Sequence, residues 1–497
     1  MPGPDHAFAL RHPDRLFIDG AWVPALSGGR IDVINPSTED VFISVAEAGE
    51  ADIDRAVDAA RRAFDAGPWP RLSHAERAAY LRRIADGLDR RVNDIATIWP
   101  SEMGILHAMA APFAGTIGNV WRYYADLADT FAWEERFDHP PMGGDYALIV
   151  NEPVGVVGAI VPWNAPVNIM AFKLAPALIA GCTAVLKLSP EAPGTGYLLA
   201  EIAEDIGLPP GVLNVVTAER VASERLVRHP GVDKIGFTGS GPVGKRIAAL
   251  CSERLARCTL ELGGKSAAII LDDYDAELAA QSLVGSACAM TGQICSSLTR
   301  IVVTDRQHDR LVDALAAGFE QVVIGDPFDP AVGMGPIAMQ RQRDKIEGMV
   351  QRATSEGNRI VTGGKRPAHL NRGWFFEPTL IDNVRNSDFI AREEVFGPVL
   401  SVIRARDEDD AMAIANDTPF GLNNSVFTHD AARAYAVARQ LRSGTVGHNA
   451  WRSDMSIGFG GFKESGIGRE GGVNGLRAYL EPKTLIMEHS PITKTQA

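Results

Sequence analysis

The chain has 497 residues, 46% of them hydrophobic and 22% charged, the composition of an ordinary globular protein rather than a disordered one. At roughly 100–200 residues per domain, this length predicts about two to four domains, each able to bury a core without disulfides or metals. A net charge of −13 and a pI near 5.4 disfavour nucleic acid and anionic membranes as partners, but not small anions held by backbone amides or a single lysine.

Residues 52–66 carry apolar side chains at helical spacing, as do 75–99, where Ala, Leu and Ile recur between arginines and aspartates. Both read as surface helices, and a third is expected over 113–131. Then the pattern changes. Segments 146–150 and 155–161 read as strands broken by Pro153. A small-residue helix follows at 168–180, then a short buried strand at 183–187 and a helix at 194–206. Next come a strand at 212–216, a helix near 219–228, a strand at 234–238 and a helix over about 242–256. Strands alternating with helices over 150–260 indicate a parallel sheet covered on both faces, with its ligand crevice beyond the carboxyl ends of the strands. Alternation resumes with strands at 267–271, 300–304, 359–362, 400–404 and 425–428, and helices at 307–320, 340–356 and 407–416. A second α/β domain is the natural reading. There is no internal repeat, and the tail 490–497 reads as poorly ordered.

The cysteines are Cys182, Cys251, Cys258, Cys288 and Cys295. Their odd number and the lack of any Cys-x-x-Cys pair argue against a disulfide framework or a structural zinc, and fit a reducing compartment. No metal site is expected. The N-terminal segment lacks a signal-peptide core, and no apolar stretch approaches the ~20 residues needed to span a bilayer. A cytoplasmic location is therefore expected.

Four places carry chemistry. The run Gly239-Ser-Gly-Pro-Val-Gly244 follows a predicted strand and opens a helix. It reads as a cradle for a pyrophosphate at a helix N-terminus, or as a plain glycine-rich turn. Glu261, in Glu-Leu-Gly-Gly-Lys265, lies near the spacing of a ribose-binding acid. Its setting, after an apolar strand end and before two glycines, instead suggests a loop carboxylate projecting into a cleft as general base; a surface glutamate in a turn is the plainer alternative. Cys295 follows Gly292-Gln293 and is flanked by serines, which suits an accessible loop or helix start. Cys251 and Cys258, in a helix-like stretch and its exit, read as small buried hydrophobes. Asn164, in Pro162-Trp163-Asn164 at a strand end, could aim its amide at an oxyanion or cap the next helix.

Together these residues resemble the aldehyde dehydrogenase superfamily over roughly residues 15–487. The landmarks are PWN at 162–164, FTGS at 237–240, ELGGK at 261–265, GQIC at 292–295, EVFGP at 394–398 and GGFKESGIGRE at 460–470. The resemblance implies that Cys295 is the nucleophile, that Asn164 and the Cys295 backbone N–H form the oxyanion hole, and that Glu261 activates the deacylating water. It matches Lys173 and Glu470 to a proton-relay pair. Lys187 matches a lysine on the adenine-side ribose, Glu394 the residue holding the nicotinamide-side ribose, Phe396 a neighbour of the ring, and Ser240, beside Gly239, a pyrophosphate contact; Pro162 and Trp163 complete the expected cofactor site. The implied reaction runs from thiolate attack on an aldehyde, through hydride transfer to a nicotinamide cofactor, to a thioester released by water. Activity should then rise with pH as Cys295 ionises.

The chain departs from the family at the cofactor. Members that prefer NAD usually carry a glutamate three residues after the lysine; here that position is Pro190, and Glu191 comes one step late. NAD is expected, with NADP left open. Arg220, in a loop often glycine-rich, faces either the adenine side or solvent. At the substrate pocket, Ala165 replaces a common aromatic and Phe172 a common tryptophan, while Ile294, Ser296 and Phe459 complete the expected lining. The smaller residue at 165 suggests a bulky apolar aldehyde: medium-chain, terpenoid or aromatic. The alternatives are a CoA-acylating enzyme, disfavoured by the presence of Glu261, and a non-catalytic protein on the same fold. The resemblance implies a Rossmann-like cofactor domain (15–130 and 151–260), an α/β catalytic domain (261–455) and a small β oligomerisation arm (131–150 and 477–497). A homodimer or homotetramer is expected, because the apolar strand-like run 484–488 needs a partner edge.

Overall fold

The strands Val156–Ile160, Thr183–Leu188 and Leu213–Thr217 are buried along their whole length, so they have no solvent face to alternate towards. Runs of this kind belong in the middle of a parallel sheet covered on both sides. The computed structural model, which describes residues 9–138, 144 and 146–489, shows that arrangement. Five parallel strands lie in the order Arg257–Glu261, Lys234–Thr238, Val156–Ile160, Thr183–Leu188, Leu213–Thr217. Antiparallel edge strands extend the sheet to eight: Gly466–Ile467 beside Arg257–Glu261, and Leu16–Ile18 with Ala21–Val23 beside Leu213–Thr217. The strand order reverses between Val156–Ile160 and Lys234–Thr238. Beyond the carboxyl ends of such a pair the loops part in opposite directions and leave a crevice.

A second sheet has seven strands, in the order Arg359–Thr362, Thr379–Asp382, Val399–Ala405, Leu298–Thr304, Ser266–Ile270, Asn423–Phe427, Thr445–His448. It is parallel except at the Arg359–Thr362 edge. A third, antiparallel sheet joins Leu480–Met487, Tyr146–Pro153 and Glu134–Asp138. The protein is thus α/β, with two large sheets and a small β unit. Among the described residues no helix is long and apolar enough to cross a membrane.

Several elements differ from the sequence expectation. The helix expected over 75–99 is two helices, His74–Arg90 and Val92–Met103, because Arg91 (φ −107°, ψ 17°) leaves the helical region. Its second half is not a surface helix, since Ile95, Ile98, Trp99 and Met103 are buried. The helix expected over 113–131 is also divided, into His107–Ala114 and Ile117–Thr130. Helix Ala276–Cys288 lies in a stretch to which the sequence pattern assigned no element. Glu261 ends a strand, Arg257–Glu261, rather than sitting on a loop, and Cys258 lies on that strand rather than at a helix exit. Both strand neighbours are distant in sequence, so local pattern does not reveal the pairing. The tail 490–497 lies outside the described residues.

Candidate active site

The crevice brings one group from each of several loops to one place. After Val156–Ile160 the chain enters Pro162-Trp163-Asn164. The Asn164 carbonyl accepts a hydrogen bond from Trp99 Nε1 at 2.8 Å, and its Nδ2 donates to the Gln293 carbonyl at 2.9 Å. Ala165, not Asn164, caps the helix Pro166–Ala180, and no side chain serves as the cap. The Asn164 amide is therefore aimed at the loop that carries Gln293 and Cys295, not at the helix.

That loop is tightly determined. Cys295 lies in a turn between the short 3-10 segment Ala289–Gly292 and the strand Leu298–Thr304. Met290, Thr291 and Gly292 adopt φ of 48°, 55° and 69°, so three successive residues are left-handed. Such strain persists only where the surroundings over-determine it. Here Gln293 Nε2 donates to Met290 O at 3.1 Å, and Gln293 Oε1 accepts from Ala338 N at 2.9 Å. A Cβ on Gly292 would fall 2.3 Å from Gly397 C, so only glycine lets the loop lie against the Glu394–Gly397 segment.

The glycines after Glu261 serve the same close packing. A Cβ on Gly263 would fall 2.2 Å from Glu394 Oε2, and one on Gly264 would fall 2.7 Å from the Cys295 carbonyl oxygen. Gly264 N donates to Glu394 Oε1 at 3.2 Å. The C-terminal motif holds the strand from its other side: Gly466–Ile467 pairs with Leu260 and Glu261, and Ser465 Oγ donates to Gly263 O at 2.7 Å. Behind Glu261, the fully buried Lys173 ammonium is ion-paired with Glu470.

Asn164, Glu261, Cys295 and Glu470 all line one cavity of about 420 Å³. Ala165, Phe172, Ile294, Ser296 and Phe459, the five expected pocket residues, line it too. Sequence reasoning missed Trp99, Ile117, Val120 and Tyr123, which line the same cavity. Ile117, Val120 and Tyr123 recur at helical spacing, a signal that marks a buried face but not whether it meets core or cavity.

The electrostatics favour neutral groups. Burial, then Glu394 and Glu261, push the Cys295 thiol up to about 12, against the backbone N–H groups of Ser296 and Cys295. Burial, then Glu470, raise Glu261 well above the usual carboxylate range, with Lys173 and Arg469 opposing. Among the described residues, neither Glu261 oxygen has a hydrogen-bond partner. Burial also lifts Glu394 to about 7. A positive charge brought to this site would draw the thiol and both carboxyls towards their charged forms.

A second cavity, of about 500 Å³, occupies the crevice itself. Trp163, Lys187, Glu191, Arg220 and Arg341 line it. Burial lowers Lys187 to about 8, with Glu191 and Glu219 opposing. Arg220 is both exposed and part of this lining, so the two alternatives read from sequence coincide. Trp163 meets Phe396 edge-on at 5.4 Å. Pro162, Gly239, Ser240, Glu394 and Phe396 do not themselves line either cavity. Ser240 is the exposed N-cap of helix Gly241–Ser252, and its hydroxyl makes no cap bond. Of the three motif glycines, Gly244 packs tightest: a Cβ there would meet Leu262 at 2.4 Å, whereas Gly241 has open space around it.

A crevice at a strand-order reversal, adjoining a cavity with a thiol on its wall, is the arrangement of a nucleotide-dependent oxidoreductase that works through a covalent cysteine adduct. The chain belongs to the Aldehyde dehydrogenase family, which it matches over residues 22–485. It is 42% identical over 473 residues to geranial dehydrogenase of Castellaniella defragrans, covering 95% of this chain and 98% of that protein. Among solved structures it is similar to betaine aldehyde dehydrogenase from Staphylococcus aureus in complex with NAD+ (TM-score 0.94, 37% identity, 98% of each chain). It is also similar to a Mycobacterium tuberculosis aldehyde dehydrogenase complexed with NAD+ (TM-score 0.92, 40% identity, 95% of this chain and 98% of that one). The protein is accordingly an aldehyde dehydrogenase.

Proposed function

We propose that the protein oxidises a bulky apolar aldehyde to its carboxylic acid, with Cys295 as covalent nucleophile, NAD+ as hydride acceptor and water as acyl acceptor. The observation that carries this reading is the single cavity on whose wall Cys295, Asn164 and Glu261 meet. The residues of the crevice suit a dinucleotide: a nearly buried lysine, Lys187, and acidic side chains able to accept from ribose hydroxyls. Both solved relatives named above hold NAD+. We assign the cofactor to the eight-stranded sheet and the nucleophile to the seven-stranded one.

When bound, the oxidised nicotinamide supplies a hydride acceptor and a positive charge. Cys295 forms the carbon–sulfur bond to the aldehyde carbon, and its proton leaves to solvent. The Asn164 amide hydrogen not given to Gln293, with the Cys295 N–H, holds the resulting alkoxide; losing such a donor typically costs about 3–4 kcal/mol of barrier. Loss of hydride leaves a thioester on Cys295. Glu261, at the carboxyl end of its strand, takes a proton from water as the water oxygen attacks the acyl carbon. The carbon–sulfur bond breaks, the acid leaves and Cys295 is restored. The Lys173–Glu470 pair behind Glu261 offers the proton an onward path. CoA as acyl acceptor finds no support in the comparisons.

Apolar side chains in the lining, Ala165, Phe172, Ile117 and Val120 among them, support the substrate class, as does the geranial dehydrogenase relative. Asp454, an acid lining this cavity, accepts from the Ser456 N–H at 2.9 Å and the Ser456 hydroxyl at 2.5 Å, both through Oδ1. The test is cofactor reduction with an aldehyde panel. Geranial, a medium-chain alkanal and benzaldehyde should give the highest kcat/KM; acetaldehyde or betaine aldehyde in first place would overturn the substrate class. The exposed apolar strand Leu480–Met487 supports association into a homodimer or homotetramer. Five free cysteines, three of them buried, suit a reducing compartment such as the cytoplasm.

A further inference from the structure

Pro190 removes a carboxylate from the third position after Lys187, but the turn that follows supplies another. Ser189 to Ala192 form a turn closed by Ala192 N donating to Ser189 O at 3.3 Å. Pro190 takes its second position, which the fixed φ of proline suits, and Glu191 its third. The Glu191 side chain is only 18% exposed. Its Oε2 accepts from the Ser189 hydroxyl and its Oε1 from Arg341 Nη2. Arg341 belongs to helix Gln340–Ser355, far along the chain, and both residues line the crevice with Lys187. Burial acts to raise Glu191, but the Ser189 and Arg341 bonds outweigh it and keep the group below its ordinary value. Glu191 is also the first-ranked acid acting on Lys187.

We infer that Glu191 reads the adenosine ribose in this protein, with Arg341 as its counter-ion across the crevice, and that this pair favours NAD+ over NADP+. The inference rests on the proposed use of a nicotinamide dinucleotide. A carboxylate has about four lone pairs, so with one bond at each oxygen Glu191 still has one on each for the two ribose hydroxyls. A 2′-phosphate in the same place would bring a second anion against it. Without the carboxylate, Arg341 would lose its partner and the crevice would set Lys187, Arg220, Arg246 and Arg341 against only Glu219 and Glu224, a cationic excess that suits a phosphate. Glu191 is thus a specificity-determining residue that the spacing in the sequence places one step out of register.

The test is calorimetric titration of the full-length protein with ADP-ribose and with 2′-phospho-ADP-ribose, neither of which requires turnover. The wild type should bind ADP-ribose about tenfold or more tighter. In Glu191→Gln that ratio should collapse by about tenfold, chiefly through tighter binding of the phosphorylated ligand. Adding Arg341→Ala should then remove the gain. Glutamine preserves the shape of the side chain, and titration of the Cys295 thiol reports that the variants are folded. A wild type that prefers the phosphorylated ligand, or a ratio unchanged in Glu191→Gln, overturns the assignment of Glu191 alone. A wild type that binds neither ligand overturns the dinucleotide reading beneath it.

Discussion

Cys295 and Glu261 present the same problem in two chemical forms. In the proposed mechanism each must lose a proton, and each is held in surroundings that favour keeping it: the thiol near 12, and the carboxyl well above its usual range through burial and Glu470. Both active forms are the deprotonated ones, so activity is present at high pH and lost as pH falls through these raised values. The log of kcat/KM should therefore climb throughout the interval from about pH 6 to pH 9 without levelling off within it, because the thiol value lies near 12. A profile flat over that interval would contradict the assignment. At this scale much was legible in sequence, because motif company marks Cys295, Glu261 and Asn164 as a set. The ion pair of Lys173 with Glu470 also joins two residues that sequence reasoning had matched. What stayed hidden were groups whose position depends on remote chain, such as Trp99, whose indole donates to the Asn164 carbonyl, and Arg341 across from Glu191.

Among the elements, the nucleophile loop carries most of the specification. Its left-handed run ends at Gly292, where φ is 69° and the Gly397 backbone leaves no room for a Cβ. Gly292→Ala should cost about 2–4 kcal/mol, from left-handed strain and overpacking together. The melting temperature should fall and turnover should fall further, since Cys295 and the Glu394–Gly397 segment would both be displaced. A variant with unchanged melting and activity would show that the loop has slack the geometry denies. Helix and strand periods were readable where the pattern was local, as at Lys234–Thr238. They misled where it was not. Apolar spacing runs unbroken through Arg91, so one helix was read for two. Arg257–Glu261 becomes a strand only because chain from 234–238 and 466–467 pairs with it.

For the whole molecule, alternation of strands and helices announced parallel sheets, but nothing local announced their order. The reversal between Val156–Ile160 and Lys234–Thr238 makes the crevice, and Cys295, just ahead of a strand of the seven-stranded sheet, lines the other cavity. The third sheet ends in apolar side chains left open among the described residues: Ile486 is 65% exposed and Phe137 46%. Such an edge calls for a partner. Light scattering coupled to size exclusion should find a homodimer or homotetramer, and Ile486→Lys should shift it to a smaller species. A wild-type monomer would contradict this reading.

In the proposed reaction an acyl group passes through Cys295 on its way to water. Intact-protein mass spectrometry of Glu261→Gln, mixed with NAD+ and a reactive aldehyde, tests it most directly. The account predicts a single burst equivalent of reduced cofactor per chain and an adduct heavier by the aldehyde less two hydrogens, located on Cys295 and absent from Cys295→Ala. Undiminished turnover by Cys295→Ala, or an acyl adduct on any other residue, would contradict it.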